Sequence, residues 1–383
     1  VLPEGQRIAP DSNQKLDIRI KDVEHVKKVM AVRIDGLEKR ESPGWLKEYL
    51  AFYEINSVNL PVDLSNYLML FTGYSSHLLD VDRIHGQISW SLNTSFDEIT
   101  TLAGPKIKLN KNELVIRDNI NILALAGIIG SRTAEIGFRT KSIIVEMAIY
   151  QPSIIRRDSR KLNIVTEASQ RLTKNLDPDG LDFAFRLLVS LLLENCRGKI
   201  ASQVFQYFPK KEKKPEIKFN PQIASSLAGL DIPEKKIWKI LENLDFKIKK
   251  SRKNWLVVPP LGRTDISLPE DLAGEVIRMF GYWRIPCSEM PTFEKTEDIT
   301  PKNIYLAEKI RDILPVLGFD EVLSLPLVEK EANRATNYLN WQLISTQNSV
   351  NEEYPDLRQS IAAGLISQLE EYRKKNVEFI KIF

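Results

Sequence analysis

Cysteine and histidine are scarce in this chain, with two and three residues among 383. Cys196 and Cys287 cannot supply a disulfide framework, which suits a reducing compartment. So few Cys and His residues also give little support to a zinc site. A dominant charge is missing as well: 54 Lys and Arg against 51 Asp and Glu leave +3, so any nucleic-acid surface must be local. No apolar run reaches the roughly 18 residues that a spanning helix needs. The longest candidate, Leu181–Cys196, carries Asp182, Arg186 and Glu194 and predicts an amphipathic core helix. A membrane is therefore excluded and the cytoplasm expected. A signal-peptide layout and an initiating Met are also missing, so an excised piece of a longer protein is expected. Neither phosphate-binding glycine motif is found, nor the G-x-S-x-G elbow of hydrolases, and no repeat or low-complexity tract occurs.

What is there is patterned. A 43% hydrophobic, 27% charged composition is ordinary for a globular protein, and the length allows two or three domains. LDIRI and VKKVMAVRID predict strands. PGWLKEYLAFYEI predicts a helix capped by Ser42, with Pro43 in its first turn, and LPVDLSNYLMLFTG a second, closed by Gly73. From Gln87 to Tyr150 short β-like runs follow (QISWSL, ELVIRD, SIIVEMAIY), and Arg157–Asn195 is mostly helical around LDPDG. ILALAGIIGS (Ile122–Ser131) predicts a buried strand holding two glycines. Together these argue one α+β domain of about 185 residues. PKKEKKPE is a charged, Pro-bracketed linker. Beyond it, NPQIASSLAG, PEKKIWKILENL and DFKIKKSRKNWLVVPP outline a helix–helix–hairpin module of winged-helix type, followed by a helix over Asp271–Phe280. After Ile285–Pro301 the pattern is helix (NIYLAEKIRDILPVLG), strand (EVLSLPLV), helix (LRQSIAAGLISQLEEYRKK) and strand (VEFIKIF). The fold class is multidomain α+β.

Chemistry must then rest on carboxylates and hydroxyls. Glu146 interrupts an apolar strand, where a charge is costly unless paired; it is either a buried hydrogen-bond partner or a ligand contact. His77, in GYSSHLLD, is by itself more often structural than functional. Thr166–Ser169 (TEAS) has the form of a capping box. Asp265, Asp271 and Glu275 could share magnesium, although spacing alone favours acidic residues in the first turn of a helix. Lys247–Lys253 (KIKKSRK) could touch phosphates or be a solvated tip.

Several pieces match one family in one order. VDLSNYLML, GYSSHLLD and DRIHG resemble the VDVTNYVML, GQPLHAFD and DKL-G signature of the bacterial phenylalanyl-tRNA synthetase β subunit. ILALAGIIG, SIIVEMAIY, TEASQRLTKNLDP, RTDISLPEDLAGEVIRMFGYWRIP and LRQSIAAGLISQLEEYRKKNVEFIKIF follow in register across nearly the whole chain. The resemblance implies four segments. Residues 1–21 would be a remnant of an N-terminal oligonucleotide-binding module, and 22–208 a mixed α/β tRNA-editing domain. Residues 209–295 would be a small helix-turn-helix-like domain with linkers. Residues 296–383 would begin a catalytically inactive class II synthetase-like core, an antiparallel sheet with helices, and an anticodon-binding module would follow Phe383.

The resemblance also implies a function. An apolar pocket for phenylalanine rejects an added hydroxyl by only about a hundredfold, so a second pocket that hydrogen-bonds the phenol would select tyrosine and hydrolyse Tyr-tRNA(Phe). Glu146 matches the family's glutamate for the tyrosine hydroxyl, and His77 and Thr166 join it as catalytic candidates. Ser65, Asn66, Ala126, Gly127, Gly130 and Ala168 match the substrate-binding wall, the small residues leaving room for a ring. Charging of tRNA(Phe) would belong to a heterotetramer with an α subunit, which binds ATP and shares magnesium through Asp265, Asp271 and Glu275. Departures are Ser65 for Thr, Ser75-Ser76 for Gln-Pro, and Gly274 for the first of two adjacent glutamates. The alternative is a structural, RNA-docking subunit without a working editing site. A third reading is a free-standing nucleic-acid binder using Lys247–Lys253.

Overall fold

Alternation in the first 92 residues produces elements that serve two different sheets. The computed structural model describes residues 13–38, 41–102, 104–137, 139–209, 215–251, 254–287 and 299–383. Residues 1–12, most of the charged linker, Arg252 and Lys253 of the basic tip, and 288–298 lie outside them. Strand β1 (Ile18–Ile20) pairs in parallel with β4 (Ile88–Leu92), after β2 (Val26–Asp35), α1 (Gly44–Phe52), α2 (Leu60–Thr72) and β3 (His77–Asp80). Within the segment expected as an N-terminal remnant, Ile18–Ile20 forms the edge strand of the first sheet, and Ile18 and Ile20 pack on the main core. Gly73 closes α2 at φ 83°, the left-handed cap that glycine adopts without a Cβ clash. Ser42 does not cap α1. Its hydroxyl donates instead to Asp63, a fully buried carboxylate that also accepts from Ser57 and from the Val58 N–H.

A short hairpin follows, β5 (Asp97–Thr100) and β6 (Lys106–Leu109). Then come β7 (Leu114–Arg117), β8 (Ile122–Leu125), β9 (Ile129–Gly130) and β10 (Ile143–Tyr150). The first sheet runs β1-β4-β7-β8-β9. The second runs β11-β2-β10-β3, with β11 (Lys199–Ile200) and β12 (Phe205–Tyr207) both pairing β2. ILALAGIIGS is therefore not one strand but two, β8 and β9, joined by a turn at Gly127 with φ 68°. Helices α3 (Pro152–Lys161), α4 (Glu167–Leu172) and α5 (Leu181–Cys196) complete this part. Trp90 of β4 donates its indole N–H to the Tyr150 hydroxyl of β10 (3.1 Å), tying the two sheets through the core.

A second apolar cluster, from Ile217 to Ile277, belongs to the helix–helix–hairpin module. It contains β13 (Ile217–Phe219), α6 (Gln222–Ala228), α7 (Glu234–Asn243), β14 (Lys247–Ser251), β15 (Asn254–Val258) and α8 (Pro269–Phe280). The sequence pattern missed β13, which adds a third strand beside β15. The module is fastened to the first by Gly262 N–H to Asp177 Oδ2 and Thr264 Oγ1 to the Asn175 carbonyl, both 2.9 Å.

Residues 299–383 belong to a separate compact unit. It holds α9 (Lys302–Val316), β16 (Leu327–Val328), α10 (Lys330–Ala335), β17 (Ile344–Ser345), β18 (Asp356–Leu357) and α11 (Ala362–Lys374). Two expected strands shrink here. EVLSLPLV forms a strand only at Leu327–Val328, while the chain at its start meets the end of VEFIKIF in one parallel bridge, Asp320 to Ile382, flanked by the Val322 N–H on the Phe383 carbonyl (2.9 Å). The three strands of this unit are two residues each, too short to make the expected sheet a substantial layer.

Candidate functional site

The alternation of β10 sends Glu146, Ala148 and Tyr150 to one face, and that face lines a cavity of about 270 Å³. Antiparallel register puts His77 of β3 directly opposite Glu146, so their Cβ atoms are near neighbours at about 5 Å. The other walls come from Ser65, Asn66 and Met69 on α2, from Gly127 and Gly130 around the β8–β9 turn, and from Thr166 and Ala168 at the start of α4. Eight of the nine residues implied for this pocket thus meet around one space. Ala126 does not. It is buried behind the wall, its N–H bonded to the Leu114 carbonyl.

The two glycines do different work. A Cβ at Gly127 would lie 2.9 Å from Ile155, Leu172 and Tyr150, and its positive φ disfavours any side chain. Gly127 is therefore a requirement of turn and packing rather than space reserved for a ligand. A Cβ at Gly130 would lie 2.7 Å from His77 Nε2 and from Leu102, so this glycine leaves the room in which the imidazole sits.

Glu146 is only 4% exposed, and among the described residues its Oε1 has no hydrogen-bond partner. A buried, unpaired acceptor is rare and costly. Burial pushes its pKa up to about 8, with the Tyr150 hydroxyl pulling part of the way back. Indole is a donor only, so Trp90 occupies a lone pair of the Tyr150 oxygen and leaves that hydroxyl's proton for Glu146. His77 is half-buried by surface area yet packed closely enough that burial pushes its pKa down to about 4. Near pH 7 the pair is neutral: a protonated carboxyl beside an unprotonated imidazole.

This neutrality has a consequence for stability. Folded Glu146 keeps its proton above the ordinary value of 4.5, so its contribution is full at low pH and is lost as pH rises towards 8. Folded His77 resists protonation below 6.5, so its contribution is lost as pH falls towards 4. The slopes oppose one another between 4.5 and 6.5, and above 6.5 only Glu146 acts. Unfolding free energy should therefore fall by roughly 2 kcal/mol from pH 6.5 to 8. Denaturant titrations at both pH values should show this loss in the native protein and its absence in Glu146→Gln.

Thr166 has less freedom than a catalytic residue needs. Its hydroxyl donates to the Ile128 carbonyl (2.7 Å) and accepts the Ser169 N–H (3.1 Å) in a complete capping box. It therefore anchors the β8–β9 turn to α4. Ser65 shares a hydrogen bond with Ser76 (2.7 Å). Tyr150, Met69 and Leu102 were not singled out from the sequence, and Ser76 was noted only as a departure from the family pattern. Tyr150 could have been, since it lies two alternations beyond Glu146 on the same face.

The three acidic candidates of the small module do not form a magnesium site as placed. Arg263 grips Asp265 through both guanidinium edges (2.9 and 2.7 Å) and also reaches Glu275 (3.0 Å), which Arg278 holds as well. A cation thus already stands between the two carboxylates, and it holds both acids below the usual carboxylate range. Asp271 accepts the Ser267 and Leu268 N–H groups at the start of α8, which lower its pKa too. Among the described residues no group of three His, Cys, Asp or Glu could hold a metal.

Comparison with known proteins agrees with this layout. A B3/4 domain model matches residues 25–197, a tRNA synthetase B5 domain model 217–282, and a phenylalanyl tRNA synthetase beta chain CLM domain model 286–383. In that order they define a chain of the aminoacyl-tRNA synthetase class. Phenylalanine–tRNA ligase beta subunits from Fusobacterium nucleatum and Vibrio parahaemolyticus are 30% and 26% identical to it over 97% and 100% of its length. The chain belongs to the phenylalanine–tRNA ligase beta subunit family. It spans about half the length of these relatives, 46% and 48%. A solved N-terminal fragment of the Pyrococcus horikoshii phenylalanyl-tRNA synthetase beta-subunit is similar at 15% identity and a TM-score of 0.35, covering 71% of this chain and 77% of that one.

Proposed function

We propose that the cavity around Glu146 and His77 hydrolyses tRNA(Phe) mischarged with tyrosine. In this reading the chain works beside an α subunit in a cytoplasmic heterotetramer that charges tRNA(Phe), with ATP and magnesium bound outside this chain's described residues. The observation that carries the proposal is the buried, unpartnered Oε1 of Glu146, which faces a cavity. A phenol hydroxyl would give it a partner, whereas a phenylalanine ring would leave it unpaired at a cost of about 1–3 kcal/mol. His77, unprotonated across the physiological range, orients the attacking water by accepting its proton in a hydrogen bond. Asn66, on the cavity wall, would meet the terminal ribose. Positioning of water therefore does more than strong general-base catalysis, for which a pKa near 4 is poorly matched.

Deacylation of Tyr-tRNA(Phe) and Phe-tRNA(Phe) by the αβ assembly tests the reading. The tyrosyl ester should be hydrolysed at least about tenfold faster, the value of one satisfied buried acceptor. Equal rates would reject it, and no turnover at all would favour a structural, RNA-docking role.

A further inference from the structure

The hairpin β5–β6 forms a two-stranded sheet of its own, and its turn is fastened to the cavity rim. Leu102 N–H donates to the Gly130 carbonyl (3.0 Å), Ser131 Oγ donates to the Thr100 carbonyl (3.4 Å), and Leu102 itself lines the cavity. Arg132, two residues beyond Gly130, lies over this turn, with its Nη2 3.6 Å from where a Cβ of Gly104 would stand. The Arg132 side chain is exposed, and among the described residues its guanidinium has neither an ion pair nor a hydrogen-bond acceptor.

From that root the hairpin runs outward for four residues per strand, roughly 13 Å. Ile99 and Leu109 face the core, while Lys106 and Lys108 of β6 point to solvent. Lys106 pairs with Glu98 (3.2 Å), and Asp97 accepts a hydrogen bond from the Ser95 hydroxyl (2.7 Å). Lys108 stands opposite Glu98 in the ladder but, among the described residues, makes no ion pair. Beyond the far end stands Phe96, 76% exposed, with Lys111 Nζ 5.7 Å from the ring centre.

Resting on the editing reading, we propose that this outer face is the track of the single-stranded 3′ end of the tRNA. Arg132 and Lys108 hold successive phosphates, and Phe96 stacks on a base. An ester delivered into the cavity must leave its nearest phosphate at the rim, where Arg132 stands. Cations at intervals with an exposed ring suit unpaired RNA, whose backbone is regularly anionic and whose bases stack on aromatic faces. A protein partner fits less well, since protein interfaces are depleted in lysine.

The test compares two esters with the αβ assembly: Tyr-tRNA(Phe), and tyrosyl-adenosine, which has no phosphate. Arg132→Ala should raise KM for Tyr-tRNA(Phe) about tenfold with kcat within about twofold. The effect should be at least fivefold larger than on tyrosyl-adenosine, and the salt dependence should be shallower by about 0.7 in log–log slope. Lys108→Ala should act in the same direction, and Phe96→Ala should raise KM without changing the salt slope. An equal effect of Arg132→Ala on both esters, or none on either, overturns the track. A fluorescent single-stranded RNA ending in CCA separates this from the editing reading. If the native protein hydrolyses neither ester, editing fails; the track then stands if Arg132→Ala with Lys108→Ala weakens RNA binding about tenfold, and falls if affinity is unchanged.

Discussion

Glu146→Ala combined with His77→Ala is expected to lower kcat/KM for Tyr-tRNA(Phe) at least a hundredfold, part of it through weaker binding of the tyrosyl ester. The first substitution removes the only buried carboxyl on the cavity face of β10, so a phenol entering the pocket loses its partner at about 1–3 kcal/mol. The second removes the imidazole that faces it across the strand pair, and with it the group that orients water. These neighbours share one space, so their effects should not add. Single variants will show part of the loss, and Glu146→Ala alone should erase most of the preference for tyrosine over phenylalanine. Rates followed on both esters check this, and turnover that survives the double substitution contradicts the site assignment.

Gly130→Trp should abolish the same activity by a different route. The position has no Cβ because one would fall 2.7 Å from His77 Nε2, and an indole would both displace the imidazole and fill the cavity. That cavity, about 270 Å³, takes up much of the indole, so the far-ultraviolet circular dichroism should match that of the native protein. Gly130→Ala is the milder companion. It keeps the space but crowds His77, and should cost a smaller part of the rate. Full activity in Gly130→Trp would mean that the reaction happens elsewhere.

Much of the fold could be read locally. The Gly73 cap of α2, the capping box at Thr166 and the apolar run of β10 are short-range signals, and each element stands where its pattern puts it. Long-range pairing was less legible. Nothing local says that Ser42 will turn to Asp63 rather than cap its own helix, or that Ile18–Ile20 will pair with β4. EVLSLPLV and VEFIKIF meet each other only briefly, at the Asp320–Ile382 bridge and the Val322–Phe383 hydrogen bond, too short a ladder to make the full strands their patterns predict. The turn inside ILALAGIIGS was signalled only by Gly127, which the run of apolar neighbours concealed.

The site divides in the same way. Its residues were named by family resemblance, since no spacing brings Ser65, His77, Glu146 and Thr166 together. The geometry then changed some roles: Thr166 anchors a turn, Gly127 serves packing, Ala126 lies behind the wall, and Arg263 stands among the acids expected to hold magnesium. The Trp90–Tyr150 contact that shapes Glu146 depends on two sheets meeting, which no local pattern announces.

The most direct test is a crystal structure of the protein with a non-hydrolysable tyrosyl-adenosine analogue. The phenol oxygen should lie within about 2.6–3.2 Å of Glu146 Oε1, with the ring between Gly130 and Ala168. A tyrosyl ring bound elsewhere, or bound in this cavity with its hydroxyl turned away from Glu146, would contradict the account.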